Sequence, residues 1–244
     1  MTEFYRQDLA YIHDIGFSDW AVQSAPGILE ILAKNEVKDG LIVDLGCGTG
    51  LSAREFVKAG YEVLGIDISE GAIAIAKKKV PDAEFRLGSV FKVEIPACNA
   101  VIAISECLNY LFDRDNNDRE LIKLFDRIDR ALIPGGVFIF DIVEPGQVKT
   151  GQISQGFREG KDWIVLVEKE EDREKNILNR RIITFRKIGE YYRRDEEIHC
   201  QRLYQRKDIE QKLQEVGFKV EIMDGYGDYK LPIARVAFVA TKSK

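Results

Sequence analysis

The 244-residue chain has two histidines, two tryptophans, two methionines and four cysteines, and this scarcity excludes several kinds of site. Cys47, Cys98, Cys107 and Cys200 are scattered without C-x-x-C spacing, so neither a zinc site nor a disulfide framework is expected, and no metal. Basic charge is not in excess: 36 Lys and Arg stand against 41 Asp and Glu, a formal charge of -5. Without a clustered basic face a nucleic-acid partner is not expected. No apolar run approaches the roughly 20 residues of a membrane span, so no membrane partner is expected either. The opening "MTEFYRQDLAYIHDIGF" lacks a basic segment leading into an apolar one, which makes a reduced, cytoplasmic setting the expectation. Repeats and low-complexity tracts are missing too. What is present, 45% hydrophobic and 32% charged residues, suits a globular chain of one large domain or a domain with an insertion.

From Leu41 to Val143 short apolar runs alternate with helix-period segments, the rhythm of parallel strands joined by crossover helices. "LIVDLG", "YEVLGIDI", "AEFRLGSV", "NAVIAIS" and "VFIFDIV" read as five strands. "LSAREFVKAG", "EGAIAIAKKKV" capped by Ser69, and "NDRELIKLFDRIDRAL" stopped by Pro134 to Gly136 read as helices. After Gly146, "WIVLVEKEEDREKNILNRRIITFRKI" and "YYRRDEEIHCQRLY" alternate like antiparallel strands. A helix "RKDIEQKLQEVGF" and strands "KVEIMDGY" and "RVAFVATK" follow, the last two too close for a crossover and so an antiparallel hairpin at the sheet edge. Four parts are expected: a helical cap over 1–40, a core over 41–145, an inserted antiparallel element over 146–201, and completion of the core sheet over 202–244.

The informative stretch is "LIVDLGCGTG", with Gly46, Gly48 and Gly50 at alternate positions after an apolar strand. A glycine-rich turn into a helix lets backbone N–H groups approach a ligand. The dinucleotide fingerprint G-x-G-x-x-G fails, because Leu51 stands where its third glycine or alanine belongs. No Lys or Arg occurs from Leu41 to Ala53 to assist a phosphate, and no G-x-x-x-x-G-K-[ST] loop is present.

With Asp44, Gly46, Gly48 and Gly50 in place, the stretch resembles the first motif of class I S-adenosylmethionine-dependent methyltransferases. That ligand carries an amine and a cationic sulfonium and no phosphate, so an acid beside the glycines makes electrostatic sense. Asp67 ends the second strand, where a carboxylate can take both ribose hydroxyls; NAD enzymes share that feature, and a plain helix-start acid is the bland alternative. In "FRLGSV" the family usually has an acid at the adenine; this chain has Ser89, leaving the contact to Ser89 and Val90 or making Ser89 a simple turn residue. "VIAISECLNYLFD" is similar to the segment that touches the methionine end, with Ser105 and Glu106 nearest it, and "LIPGGVFIFD" to the fifth-strand motif. The resemblance spans Leu41 to Val143 and, more loosely, Arg202 to Lys242.

It implies a Rossmann-like, doubly wound α/β fold: a seven-stranded, mostly parallel sheet with an antiparallel edge hairpin and an inserted antiparallel element on the substrate side. It implies S-adenosyl-L-methionine as cofactor, held by Asp44, Gly46, Cys47, Gly48, Thr49, Gly50, Asp67, Ile68, Ser89, Val90 and Ser105. The acceptor is expected to be a small molecule with a nitrogen or oxygen nucleophile. Tyr11, His13, Trp20, Asn109 and Tyr110 are the candidate substrate contacts, with Tyr5 beside them, weighed against burial in a capping helix. A general base is optional in this chemistry; Glu106, His13 and His199 are candidates, each also readable as structural. Arg180, Arg181, Arg193 and Arg194 alternate with acids and read as solvated faces. An NAD-dependent oxidoreductase and a non-catalytic S-adenosylmethionine-binding regulator stay open beside the favoured reading, and the sequence sets no oligomeric state.

Overall fold

A computed structural model describes residues 4–113 and 116–243; the outermost residues of the expected 1–40 and 202–244 segments lie outside it. Two helices come first, α1 (Gln7–Gly16) and α2 (Asp19–Lys34). The core then alternates β1 (Leu41–Leu45), α3 (Leu51–Lys58), β2 (Glu62–Asp67), α4 (Glu70–Lys79), β3 (Glu84–Leu87), β4 (Cys98–Ala103), α5 (Asp118–Ala131) and β5 (Leu132–Val143). Four long strands follow, β6 (Ile153–Glu159), β7 (Trp163–Asp172), β8 (Ile177–Ile188) and β9 (Tyr191–Arg202). The chain closes with α6 (Arg206–Val216), β10 (Lys219–Met223), β11 (Gly225–Tyr226), β12 (Tyr229–Lys230) and β13 (Arg235–Thr241).

The main sheet has the order β10-β13-β5-β4-β1-β2-β3. All its strands run parallel except β13, which is antiparallel to both β5 and β10. The two last strands therefore pair antiparallel as expected, with β10 at the edge and β13 inside. The ribbon of β11 and β12 fills the connection that the sequence suggested was a plain loop. The chain reverses its crossover direction at β1, with β2 on one side and β4 on the other, and ligands of such sheets gather beyond the strand ends at that point.

Apolar residues on both faces of these strands explain the layers. Phe138 and Phe140, two apart on β5, stack at 4.4 Å and continue onto Phe238 of β13 at 4.9 Å. That face packs against Phe125 of α5 and Leu213 of α6. The alternate residues, Val137 and Ile139, face Ile28 of α2, Phe56 of α3 and Ala76 of α4. Local signals fix the helix ends. The Ser69 hydroxyl accepts the Ala72 N–H at 3.1 Å to cap α4, and Gly217, at φ 115°, ends α6.

One boundary differs from the sequence reading. Helix α5 ends at Ala131, and Pro134 to Gly136 lie within β5 and not between helix and strand. Leu132 pairs with Cys98 and Val137 with Ala100, so residues 133–136 bulge from the ladder. Pro134 has no N–H to give, and the bulge is where none is needed.

Strands β6 to β9 form a separate antiparallel meander. Its first strand was not foreseen, because every residue of β6 is exposed and no inward apolar alternation marks it. The meander leaves and rejoins the core at one point: the Tyr204 N–H donates to the Val143 carbonyl at 3.1 Å. Helix α1 ties the two sheets together. Asp8 accepts from Arg193 and Arg186 of the meander, the Tyr11 hydroxyl donates to Asp162 at 2.9 Å, and Asp14 pairs with Lys79 of α4.

Candidate active site

The turn after β1 is built on three left-handed residues, and each glycine answers a different constraint. Gly46, at φ 72°, passes so close to Cys107 that a Cβ would sit 2.6 Å from its Cβ atom. Gly50, at φ 77°, starts α3 against Ala76 and Phe85, both 3.2 Å from where its Cβ would be. Gly48, at φ 54°, has no heavy atom within 4 Å of a built Cβ. Its missing side chain leaves open the cavity that it lines with Gly46, Thr49, Asp67 and Ile68.

Asp67 reaches back to this turn from the end of β2. Its carboxylate accepts the Gly48 N–H at 2.9 Å and the Ser69 N–H at 2.8 Å, while burial raises its pKa. Asp44 lies behind the turn, 2% exposed, with Oδ2 lacking a hydrogen-bond partner among the described residues. Burial, and then the Asp67 charge, push its carboxyl up to about 7. The buried Thr49 hydroxyl is also without a partner.

Among the described residues no lysine or arginine lines this cavity, whereas Asp67 and Asp113 do. A pyrophosphate would meet the buried carboxylate of Asp67 here, whereas a ligand bearing cationic groups would be attracted to it. The orphaned Asp44 oxygen, the orphaned Thr49 hydroxyl and the open Gly48 cradle thus fit S-adenosylmethionine. They do not fit a dinucleotide.

On the far side Ser89 and Val90 line the same cavity, with the Ser89 hydroxyl donating to Asp113 and accepting the Phe91 N–H at 3.1 Å. Ser105 and Glu106, after β4, both adopt left-handed backbone at φ 61° and 50°. A buried acid at the end of β5 holds them: Asp141 accepts the Ser105 N–H at 2.9 Å, the Glu106 N–H at 2.5 Å and the Tyr226 hydroxyl at 2.9 Å. Burial and the Glu106 charge push Asp141 up to about 7.

A second cavity, of about 330 Å³, adjoins the first, and the two share Tyr5, His13, Ser105 and Tyr110. The meander covers it with Val165, Val167, Arg180 and Ile182, and Trp20, Glu106, Tyr229 and Arg235 close the other side. Tyr5 and Tyr110 meet hydroxyl to hydroxyl at 3.1 Å, and Arg180 donates to the Tyr110 oxygen at 2.9 Å. Glu106 is ion-paired to Arg235, whose guanidinium also lies 4.7 Å over the Trp20 ring. Burial, and then Arg180, push His13 down to about 4, so its ring is neutral at pH 7.

Several candidates from the sequence lie elsewhere. Cys47 and Gly50 do not line the cavity; the Cys47 side chain packs among Ile73 and Phe85, and burial raises its thiol pKa. Asn109 is fully buried, donating to the Val143 and Arg202 carbonyls and accepting the Val143 N–H, which makes it a clasp at the meander's stem and not a substrate contact. Tyr11 points to Asp162 with Arg186 stacked 3.6 Å over its ring, outside both cavities. His199 is sealed from solvent and from both cavities, its Nε2 at 2.8 Å from a Glu197 carboxylate that also accepts the Tyr5 and Arg6 N–H groups.

Arg180 corrects the reading of the basic pairs as solvated. It sits between Leu178 and Ile182 on the inward face of β8, and that period-2 alternation is the signal that could have found it. Asp141, a lone acid inside an apolar strand, carried a similar signal.

A methyltransferase-domain family model matches residues 43–140. The Bacillus subtilis protein YqeM, named as a methyltransferase, is 29% identical over 230 residues, 84% of this chain and 85% of that one. A Streptomyces venezuelae dTDP-3-amino-3,4,6-trideoxy-alpha-D-glucopyranose N,N-dimethyltransferase is 23% identical across 91% of this chain and 94% of its own. The crystal structure of an S-adenosylmethionine-dependent methyltransferase from Clostridium acetobutylicum shares the fold with a TM-score of 0.80 at 21% identity, covering 96% of this chain and 97% of that one. The match over residues 43–140, the named relatives and the shared fold support an S-adenosylmethionine-dependent methyltransferase. The oxidoreductase and the non-catalytic regulator give way to that class.

Proposed function

We propose that the enzyme methylates a nitrogen or oxygen nucleophile of a small molecule seated in the cavity beneath the meander. The observation that carries this reading is the pair of adjoining cavities with a common wall of Tyr5, His13, Ser105 and Tyr110. A space of about 330 Å³ suits a compact ligand. That a relative similar over nine-tenths of the chain is named for an amino sugar supports the same class of acceptor.

When bound, S-adenosylmethionine supplies a methyl group already activated by its sulfonium, so this chain's residues have to align, exclude water and manage protons. In this reading Gly46, Gly48, Thr49, Asp67 and Ile68 hold the cofactor's amino-acid and ribose parts, with Asp44 behind them as the compensating charge. Ser89 and Val90 flank the adenine. Ser105, fixed by Asp141, and Tyr5 and Tyr110, joined through their hydroxyls, lie on the wall common to both cavities, where they would orient the acceptor.

An amine must arrive neutral to attack, and His13, whose ring burial keeps neutral at pH 7, lies on the shared wall as a hydrogen-bond partner that would orient it. Glu106, kept beside Arg235, orients a polar group of the acceptor. His199 acts only through Glu197 and the Tyr5 backbone, as a positioning residue.

Calorimetry with S-adenosylhomocysteine, followed by mass spectrometry of reactions with S-adenosylmethionine and a panel of amino sugars, small amines and hydroxy compounds, tests the proposal. Methylated small product, reduced at least tenfold by His13→Gln with cofactor affinity kept, is expected. Product found only on protein or RNA would overturn the small-molecule reading.

A further inference from the structure

Beneath the meander the acceptor cavity continues into a third recess, with Phe17, Arg158, Val165, Val167 and Arg180 common to both. Four cations face this joined space: Arg158, Lys169, Arg180 and Arg235. Two carboxylates answer them. Asp19 lies 3.5 Å from Arg158, and Glu106 pairs with Arg235 and stands 3.9 Å from Arg180.

Lys169 and Arg180 are direct register partners across β7 and β8. Like charges directly opposed on one face of a sheet repel, and water does little to screen these two. The Arg180 side chain is 18% exposed, its buried Nε has no partner, and a single hydrogen bond from Nη1 goes to the Tyr110 hydroxyl. Lys169 is half-buried and makes no hydrogen bond or ion pair among the described residues. Burial, followed by Arg180 and Arg235, lowers its pKa. The neighbouring Arg181, on the outer face, contrasts with both: it is exposed and saturated by Glu168 and Glu196.

We infer that the acceptor is an anionic small molecule, whose carboxylate or phosphate group is held between Lys169 and Arg180 while its nucleophile reaches the wall shared with the cofactor cavity. This rests on the reading of the second cavity as the acceptor site. An anion there neutralises the opposed pair and uses the free Arg180 donors, whose planar fork suits carboxylate and phosphate oxygens equally. The Arg180 bond to Tyr110 then links the anion's seat to the reacting end.

The test is a titration of protein carrying 15N-labelled arginine side chains, with and without S-adenosylhomocysteine, at constant ionic strength in chloride. Inorganic phosphate forms one arm and malonate the other. At least one anion is expected to shift the Arg180 Nε–H resonance saturably; phosphate alone assigns a phosphate ester, malonate alone a carboxylate. Lys169→Gln, which breaks no hydrogen bond in the structure, should weaken that binding at least tenfold, whereas Arg181→Gln should leave it unchanged. Saturation by neither anion, or equal affinity in Lys169→Gln, overturns the inference. S-adenosylhomocysteine affinity on the same samples separates the outcomes: if it persists while the anions fail, only the anionic acceptor is lost, and if it fails the underlying reading goes first.

Discussion

Gly48 and Gly50 share left-handed backbone and differ in what surrounds them, so alanine should affect them differently. At Gly48 the new methyl enters open space in the cofactor cavity. Gly48→Ala should cost about 1–2 kcal/mol for the backbone alone, a fall of about 2–4 °C in Tm per kcal/mol at this chain length, while S-adenosylhomocysteine affinity drops more than tenfold by calorimetry. Gly50→Ala adds overpacking against Ala76 and Phe85, and should cost about 2–4 kcal/mol in urea denaturation.

His13 makes a prediction about pH. Its ordinary value near 6.5 applies to the unfolded chain, and the folded value is pushed down to about 4 by burial and Arg180, against Glu106 and Asp14, which raise it, with His199 lowering it. Between those values the unfolded chain binds more protons, so stability is lost as pH falls from 6.5 to 4. Asp44 and Asp141, raised to about 7, act in the opposite sense. The difference between wild type and His13→Gln isolates the histidine: urea melts at pH 7 and pH 5 should show wild type losing more stability than the variant.

At the level of elements, the turn after β4 and the stem of the meander each hang on one buried polar side chain. Asn109→Ala removes the side-chain partner of the Val143 N–H and of the Arg202 C=O, and leaves the Val143 C=O with the Tyr204 N–H alone. It should destabilise by about 2–4 kcal/mol, measured by urea denaturation. Asp141→Asn leaves an amide nitrogen facing a donor it cannot accept from, and loosens the strained Ser105–Glu106 pair. Methyl transfer should fall at least tenfold, with a smaller change in S-adenosylhomocysteine affinity.

These same elements mark how far the sequence could be read. The strands, the crossover helices, the Ser69 cap and the glycine turn were legible because their signals are local: apolar period, capping hydroxyl, missing Cβ. Asn109 was read as a substrate contact because a polar residue past a strand end looks alike whether it meets a ligand or a stretch of backbone 34 residues away. Tyr11 was misread for the same reason, since its partner Asp162 is distant in sequence; His199 has its partner Glu197 two residues away, and the rings of Tyr5 and Phe112, far off in the chain, are what cover it. Arg180 and Asp141 were within reach of the alternation rule, but a charge run on one side and an apolar run on the other masked them.

For the molecule as a whole, the two sheets differ in support. The main sheet is packed on both faces by helices, whereas the meander shares a small cluster of Leu9, Ile12, Trp163, Val165 and Ile182 with α1 and leaves β6 wholly exposed. Native-state hydrogen exchange should show amides of β6 to β9 and α1 opening together, at a lower free energy than those of β1, β4 and β5. A single exchange class across both sheets would contradict this. Tyr5, just before α1, and His13 within it line both cavities, so such an opening would uncover them.

The hydrogen bond between Tyr204 and Val143 closes some sixty residues of chain into a loop with touching ends. Lengthening or shortening such a loop costs little, about 0.6 kcal/mol for each doubling, and moves neither end. The meander is therefore interchangeable in heredity: it can be rebuilt while the sheet and the glycine turn beneath stay as they were.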